Sequence, residues 1–481
     1  MEGLIIFGYI FSVSVICLFA MVQLYLIIQY NRSKTKGATV LPLTKFPKVT
    51  IQLPVYNEKY VVARLIDAVG NIQYPKDQLE VQVLDDSDDE TCSIIENSVV
   101  KWKEKGLNIH QIRRPSREGF KAGALQYGLE QASGEFIAIF DADFIPNEDF
   151  LYRTLPHFEE NTGMVQTRWG HINKNYNLLT RIQAFALDAH FTIEQSGRLH
   201  SGRLINFNGT AGIWRKQCIV DAGGWKANTL TEDLDLSYRA QLKGWKFNYL
   251  EDTVSPGELP TIVPSIKSQQ YRWNKGAAET ARQSIPNILK SKLSLGTKIH
   301  GIAHLMNSSV FLWLFIAAIT SVPLILIKQS TNDHWIWSWG GVFVFGFIII
   351  TLFYWTALRS IDKKASWKHF IKDFPAFIVL TSGLSLHNSI AVSEGYLGIK
   401  SPFIRTPKFN LKKKKESIKD DAYLKVSVSP IVFLEGLLSV YFISGILIGI
   451  YFREFGFLPW HLLLAIGFGF VFYKSLMPFT K

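Results

Sequence analysis

Acidic residues gather at a few points of this chain. Glu232, Asp233 and Asp235 fall within four residues of TEDLDLSYRA (Thr231–Ala240), shortly after FNGTAGIW (Phe207–Trp214), whose Asn208-Gly209-Thr210 is a small, flexible turn. Asp141 and Asp143 close the apolar stretch EFIAIFDADF (Glu135–Phe144), and Asp85 and Asp86 close LEVQVLDDS (Leu79–Ser87). Two carboxylates one residue apart at a strand end lie on the same side of the backbone. They are hard oxygen donors suited to Mg²⁺ or Mn²⁺, which also binds phosphate oxygens. The same spacing is that of a solvated strand end, and Asp85-Asp86 also reads as a capping or turn pair. Lys121 in GFKAGAL (Gly119–Leu125) sits among small residues that allow close approach to a phosphate. By itself it reads as a surface lysine. In QQYRW (Gln269–Trp273), Arg272 can grip a diphosphate bidentately and Trp273 can stack on a sugar face. The bare pentapeptide is an amphipathic helix stretch.

The elements that must position these residues lie between 49 and about 284. Four short stretches read as strands: VTIQLPVYN (Val49–Asn57), LEVQVLDDS, NIHQIRR (Asn108–Arg114) and EFIAIFDADF. Helical patterns separate them, which predicts a parallel sheet. Ligands of such sheets bind outside the carboxyl ends of the strands, where the acids lie.

The flanks are of another kind. Of the 481 residues, 48% are hydrophobic. Leu4–Tyr30, Ile302–Ile327 and Ile336–Leu358 carry no Asp, Glu, Lys or Arg; Val432–Tyr451 has one Glu and Phe457–Tyr473 one His. Roughly 20 apolar residues cross a bilayer core. The first run lacks a basic n-region and is longer than a signal h-region, so it reads as a retained membrane helix. The net charge of +12 comes from Lys and Arg beside these runs. That asymmetry marks cytoplasmic loops and anionic lipid rather than nucleic acid. Phe374–Val392 is uncharged, yet basic segments flank it on both sides. It is expected to be interfacial or re-entrant, giving five spans with the N-terminus outside and the C-terminus inside. Ser284–His300 is amphipathic and is expected to lie in the interface. The expected organisation is a transmembrane helix at 1–30, a cytosolic domain at 31–284, an interfacial helix at 285–300 and a membrane region at 301–481 with about four spans. Cys17, Cys92 and Cys218 are scattered, without metal-pair or disulfide spacing, as suits a reducing cytoplasm.

Read together and in order, Pro54-Val55-Tyr56-Asn57-Glu58, Asp85-Asp86, Lys121-Ala122-Gly123, Asp141-Ala142-Asp143, Thr231-Glu232-Asp233 and Gln269-Gln270-Tyr271-Arg272-Trp273 resemble the membrane-embedded family 2 glycosyltransferases: cellulose, hyaluronan and chitin synthases. VQTRWG (Val165–Gly170), LDAHFTIEQ (Leu187–Gln195), NFNGTAGIWR (Asn206–Arg215) and GELP (Gly257–Pro260) resemble the plant cellulose-synthase-like A and C proteins, makers of mannan, glucomannan and glucan backbones. The resemblance implies an α/β GT-A domain, parallel-rich, inserted between transmembrane helices. It implies inverting transfer of a hexose from a nucleotide sugar, GDP-mannose or UDP-glucose, to a growing β-linked polysaccharide, with export through the membrane. A single-addition enzyme making a β-glycosyl lipid uses the same domain. An export partner would be a separate chain. The implied location is the plasma (inner) membrane, or the Golgi in a eukaryote.

Residue roles follow from the same resemblance. Tyr56 and Glu58 would hold the base or ribose with Asp85 or Asp86, and Lys121 would contact the nucleotide. Asp141 and Asp143 would place Mn²⁺ or Mg²⁺ on the diphosphate. Asp233 would be the general base, its pKa raised by burial and by Glu232 and Asp235. Gln269, Gln270, Arg272 and Trp273 would bind diphosphate and acceptor, and Asn208, Gly209, Thr210 and Glu232 would border the acceptor sugar. Departures are Phe207-Asn208-Gly209, where cellulose synthases carry cysteine before the glycine, and Phe144, where bacterial cellulose synthase has histidine. PFIRTPKF (Pro402–Phe409) stands where the family has a gating loop but shares only Thr406 and Lys408 with it; it reads equally as a basic juxtamembrane linker. Trp313, Trp337, Trp339 and Tyr354 are candidates for sugar stacking along a membrane path. Glu435 either lines that path or snorkels to the interface.

Overall fold

Apolar, β-branched runs buried on both faces form the centre of a seven-stranded sheet, while its edge strands mix buried and more open positions. The strands are β1 (Val49–Val55), β2 (Leu79–Asp85), β3 (Asn108–Ile112), β4 (Phe136–Ile139), β5 (Thr162–His171), β6 (Gly212–Arg215) and β7 (Lys246–Gly257), in spatial order β3-β2-β1-β4-β6-β5-β7. The structure is a computed structural model describing residues 1–33, 42–43, 45–330, 340–401, 404–411 and 429–477. The first four strands run parallel, as expected. β6 is antiparallel to β4 and β5, and β5 pairs parallel with β7. The sheet is therefore mixed and parallel-rich.

Register places the acids. Val55 pairs with Asp85, and Gln52 with Ile139, so β1, β2 and β4 end at one edge. β4 stops at Ile139, before the acids. Asp141 and Asp143 lie in a turn closed by the Phe144 N–H donating to the Asp141 carbonyl (3.0 Å). A turn, rather than the pleat of a strand, sets the two carboxylates.

The amphipathic stretch 285–300 is not one helix. A long helix, Val263–Lys290, ends at Ser291, and a second, Leu295–Leu305, starts behind Ser294, whose hydroxyl accepts from the Thr297 N–H. Serines at 291 and 294 favour caps over helix interior, so the apolar face continues across a break.

Among the described residues five helices are long and apolar enough to cross a membrane: Glu2–Arg32, Asn307–Ser330, Val344–Ile361, Pro430–Tyr451 and Leu458–Leu476. Trp367–Gly383 and Ser385–Leu397 form a pair bent by 53°. Ser385–Leu397 packs along the long helix: Gly395 lies against the Lys275 carbonyl with no room for a Cβ, and His387 Nε2 is 3.0 Å from the Lys267 carbonyl oxygen. Trp313 packs edge-on against Phe11 and Tyr354 among Phe185, Phe374 and Phe377. Trp337 and Trp339 lie outside the described residues.

Glu435 neither snorkels nor faces a path. It is fully buried, 2.6 Å from Lys267 Nζ, which also donates to Ser475 (3.0 Å). This pair joins the helix carrying Arg272 to two membrane helices. Removing one partner of a buried pair strands the other charge, at a cost of about 3–5 kcal/mol, whereas replacing both by apolar groups is often neutral. Glu435→Ala should therefore lower the thermal midpoint in detergent markedly, and Lys267→Met with Glu435→Leu should recover most of it. A loss in the double variant equal to the sum of the two single-variant losses would show that the pair is not coupled.

Candidate active site

A cleft of about 210 Å³ opens at the carboxyl edge of β1, β2 and β4. The loop after β1 is tied to the loop after β2: Asn57, at φ 54°, donates to Asp88 (2.7 Å), and its N–H donates to Ser87 Oγ (3.0 Å). This holds Tyr56 and Glu58 at the rim. Asp86 also lines the cleft, gripped bidentately by Arg114 at 2.8 and 2.6 Å. The Arg117 guanidinium lies 3.3 Å over the Tyr56 ring, a cation–π contact. Asp85 does not reach the cleft. It is buried, accepting from the Ser87 N–H and from Gln111, and so braces the loop.

Lys121 stands at the start of helix Phe120–Gln131, behind left-handed Gly119. Its Nζ is 2.5 Å from Asp141 Oδ1, 2.9 Å from the Gly209 carbonyl oxygen and 3.9 Å from Glu232 Oε1. One ammonium thus joins three segments remote in sequence. Buried Thr210 does not line the cleft; its hydroxyl accepts from the Asp141 N–H (2.8 Å) and aims that acid.

Asp233 is the second residue of helix Glu232–Leu242, where the positive end of the helix favours acids. Gly209, at φ +80°, faces it so closely that an added Cβ would lie 3.0 Å from Asp233 Oδ2. Asn208 and Gly209 of the turn and the acidic helix start therefore meet side by side in the wall of the cleft. Asp235 turns away, since two residues on a helix is about 200°. It is buried against Arg239 (2.8 Å).

Gln269, Arg272 and Trp273 line the cleft from one face of the long helix, while Gln270 lies on another and accepts from Asn274 (3.3 Å). The segment 404–411 closes the cleft. Arg272 donates to Thr406 (3.0 Å), Lys408 Nζ meets Asp143 (2.6 Å) and Arg405 is 3.4 Å from Glu58. Glu258 anchors the segment, accepting from the Phe409 N–H (3.0 Å) and from Arg64 (3.2 Å), and Lys408 also donates to its carbonyl oxygen. Glu258, Arg117 and Arg405 are site residues that motif reading did not single out. The signal for Glu258 was its place between Gly257 and Pro260 at a strand end.

Burial and crowding set the charges. Burial, then the Glu232 carboxylate, push Asp233 up to about 7, against the pull of Lys121. Burial also raises Glu232 and Asp141, and carries Glu58 to about 8 despite Arg405. Burial works against the Lys121 ammonium, but Asp141 and Glu232 overcome it and raise its pKa. Asp235 is not among the main causes of the Asp233 shift. Among the described residues no three His, Cys, Asp or Glu converge as a metal cage. Asp141 and Asp143 nevertheless fit a divalent cation that completes its shell with phosphate oxygens and water, and the ammonium on Asp143 shows that a cation is welcome there.

Acids on a parallel-rich sheet edge beneath a basic roof are an arrangement suited to a metal and a phosphate-bearing ligand, and similarity to known proteins gives the class. The model described as "Glycosyltransferase like family 2" matches residues 47–281. Glucomannan 4-beta-mannosyltransferase 1 of Oryza sativa subsp. japonica is 38% identical over 402 residues, 79% of this chain and 73% of that protein. Glucomannan 4-beta-mannosyltransferase 9 of Arabidopsis thaliana is 36% identical over 369 residues, 73% of this chain and 65% of that protein. Glucomannan 4-beta-mannosyltransferase 1 of Cyamopsis tetragonoloba is 44% identical over 254 residues, with 52% and 48% covered. The chain thus spans between about half and three quarters of the length of these relatives. In fold it is similar to the mannosyltransferase PcManGT from Pyrobaculum calidifontis, solved with GDP-Man and Mn²⁺, at a TM-score of 0.51 and 18% identity, covering 73% of this chain and all of that one. The chain belongs to glycosyltransferase family 2, and its domain has the GT-A fold.

A base must be unprotonated to accept a proton, so the rate should fall as pH drops through the Asp233 pKa. The acid limb is expected near 7, well above an ordinary carboxylate. Glu232→Gln removes the neighbouring charge and should move that limb to lower pH. A limb at about 4 in both proteins would contradict this assignment.

Proposed function

We propose that this enzyme transfers mannose from GDP-mannose to the end of a growing β-1,4-linked mannan or glucomannan. The observation that carries the reading is Asp233 lining one cleft with Lys121, Asp141, Asp143 and Arg272, packed beside the Gly209 turn, in a chain whose relatives are named glucomannan 4-beta-mannosyltransferases. Those names favour mannose over the glucose that the sequence left equally open.

The donor carries its sugar α-linked to a nucleoside diphosphate. The acceptor hydroxyl enters the cleft beside Asp233 and its oxygen attacks the anomeric carbon from the face opposite the diphosphate. The new C–O bond forms as the old one breaks, and the nucleotide leaves with the electron pair. Asp233 receives the hydroxyl proton, and the product linkage is β. Tyr56, Asp86 and Arg117 border the nucleoside end, and Lys121 and Arg272 stabilise negative charge gathering on the leaving group. A divalent cation held by Asp141 and Asp143 supplies further neutralisation of the diphosphate. Trp273 offers an aromatic face for the terminal sugar.

The same reading places the five long apolar helices across a membrane, with the domain on the cytosolic side and the bent pair at the interface. Support comes from the basic flanks and from the packing of Ser385–Leu397 along the domain's own long helix. The growing chain would leave through the membrane region.

The test is radiolabel transfer from GDP-mannose and, separately, UDP-glucose by full-length protein in nanodiscs with Mn²⁺. The expected result is a long β-mannanase-sensitive polymer from GDP-mannose. Asp233→Asn should lower the rate by about 10²–10⁴-fold. A short lipid-soluble product would replace the polymerase reading with lipid glycosylation, and an unchanged Asp233→Asn rate would remove Asp233 from the base role.

A further inference from the structure

Behind the Asn208-Gly209 turn runs a line of polar side chains that the transfer chemistry leaves unused. Asn208 lines the cleft. Its Nδ2 is 2.9 Å from His190 Nε2, and its Oδ1 accepts from Gln195 (2.6 Å). His190 Nδ1 lies 2.7 Å from Glu194 Oε2. Glu194 also accepts from Arg198 (3.1 Å) and, through Oε1, from Gln23 (2.9 Å) on the first membrane helix. The turn that presents both residues, His190–Glu194, winds as a π-helix between helices Leu178–Ala189 and Gln195–His200. Such local unwinding recurs at functional sites.

The chemistry of these groups fixes their roles. An ionised carboxylate only accepts, so Nδ1 of His190 carries a proton, facing Glu194. Burial disfavours the Glu194 carboxylate, yet His190 and Arg198 hold it ionised, with its pKa down at about 2. Nε2 lies against a donor and so offers it a lone pair. That donor is the Asn208 amide, whose opposite edge is set by Gln195. One N–H and one lone pair of the amide remain for a ligand, on the cleft wall beside Asp233.

We propose that His190 is a positioning residue for the acceptor sugar: oriented by Glu194, it fixes the Asn208 amide so that this amide hydrogen-bonds the incoming hydroxyl-bearing sugar. This rests on the transfer reaction proposed above. It assigns the first membrane helix, through Gln23, a place in acceptor binding.

The test uses full-length protein in nanodiscs with GDP-mannose and manno-oligosaccharide acceptors, measuring donor KM, acceptor KM and GDP affinity separately. His190→Ala should raise the acceptor KM about ten-fold, the worth of one hydrogen bond, with donor KM and GDP affinity within about two-fold. His190→Gln, whose amide can accept from Asn208 and donate to Glu194, should recover most of the loss. Asn208→Ala should reproduce the His190→Ala effect, and the double variant should be no worse than either single one. An unchanged acceptor KM in His190→Ala, additive losses in the double variant, or donor and acceptor KM rising together without rescue by His190→Gln would each overturn the positioning role. Retained GDP binding with no transfer by the unmodified protein would instead overturn the proposed function, and this role with it.

Discussion

The Lys121 ammonium is the contact on which the site depends. Asp141, Glu232 and the Gly209 carbonyl come from segments far apart in sequence, and each reaches this one cation. Without a counter-charge, carboxylates packed this closely in a partly dry cleft would repel and protonate. Lys121 lets Asp141 stay near Glu232 and Asp233 while burial still lifts all three pKa values. The result is a set of acids with two fates. Asp141 and Asp143 face cations and suit a metal–diphosphate, while Asp233 is left poised near neutrality, as a base for a hydroxyl proton requires.

The remaining structure brings elements to that centre from outside the sheet. The long helix Val263–Lys290 carries Arg272 and Trp273 on its cleft face and Lys267 on the face buried against membrane helices. Lys275 and Tyr271 on the same helix hold Glu394, and Lys275 holds Ser401 at the root of the segment that roofs the cleft. Through that segment Lys408, Thr406 and Arg405 reach Asp143, Arg272 and Glu58. The catalytic domain and the membrane region therefore share side-chain contacts at the site itself, and neither is a mere tether of the other.

What could be read beforehand was local. Three of the four parallel strands are apolar runs, and acids stand at or just beyond their ends, at Glu58, Asp85-Asp86 and Asp141, so the sheet and its functional edge were legible. Period-2 reasoning failed just past Ile139, because a turn replaces the pleat there. Helix geometry distinguishes Glu232 from Asp235, although both looked like neighbours of Asp233. Thr210 and Asp85 belong to the right motifs but act from behind, on the backbone of Asp141 and of the loop after β2. Arg405 was hidden for another reason, and Lys408, which matched the gating-loop pattern, could not be told from a linker lysine. Their partners lie 347 and 265 positions away, and a basic stretch beside a membrane run has ample cause to exist without a site. His190 and Glu194 were hidden by a π-turn that no residue type announces.

The central claim is that one cleft holds the diphosphate between Asp143 and Arg272 and turns the anomeric carbon toward Asp233. The most direct measurement is a cryo-EM structure of the Asp233→Asn variant in nanodiscs with GDP-mannose and Mn²⁺. Phosphate density is expected beside Asp141, Asp143 and Arg272, with the mannose C1 facing residue 233 beside Gly209. Phosphates seated against residue 233, or a sugar whose C1 points away from that residue, would contradict it.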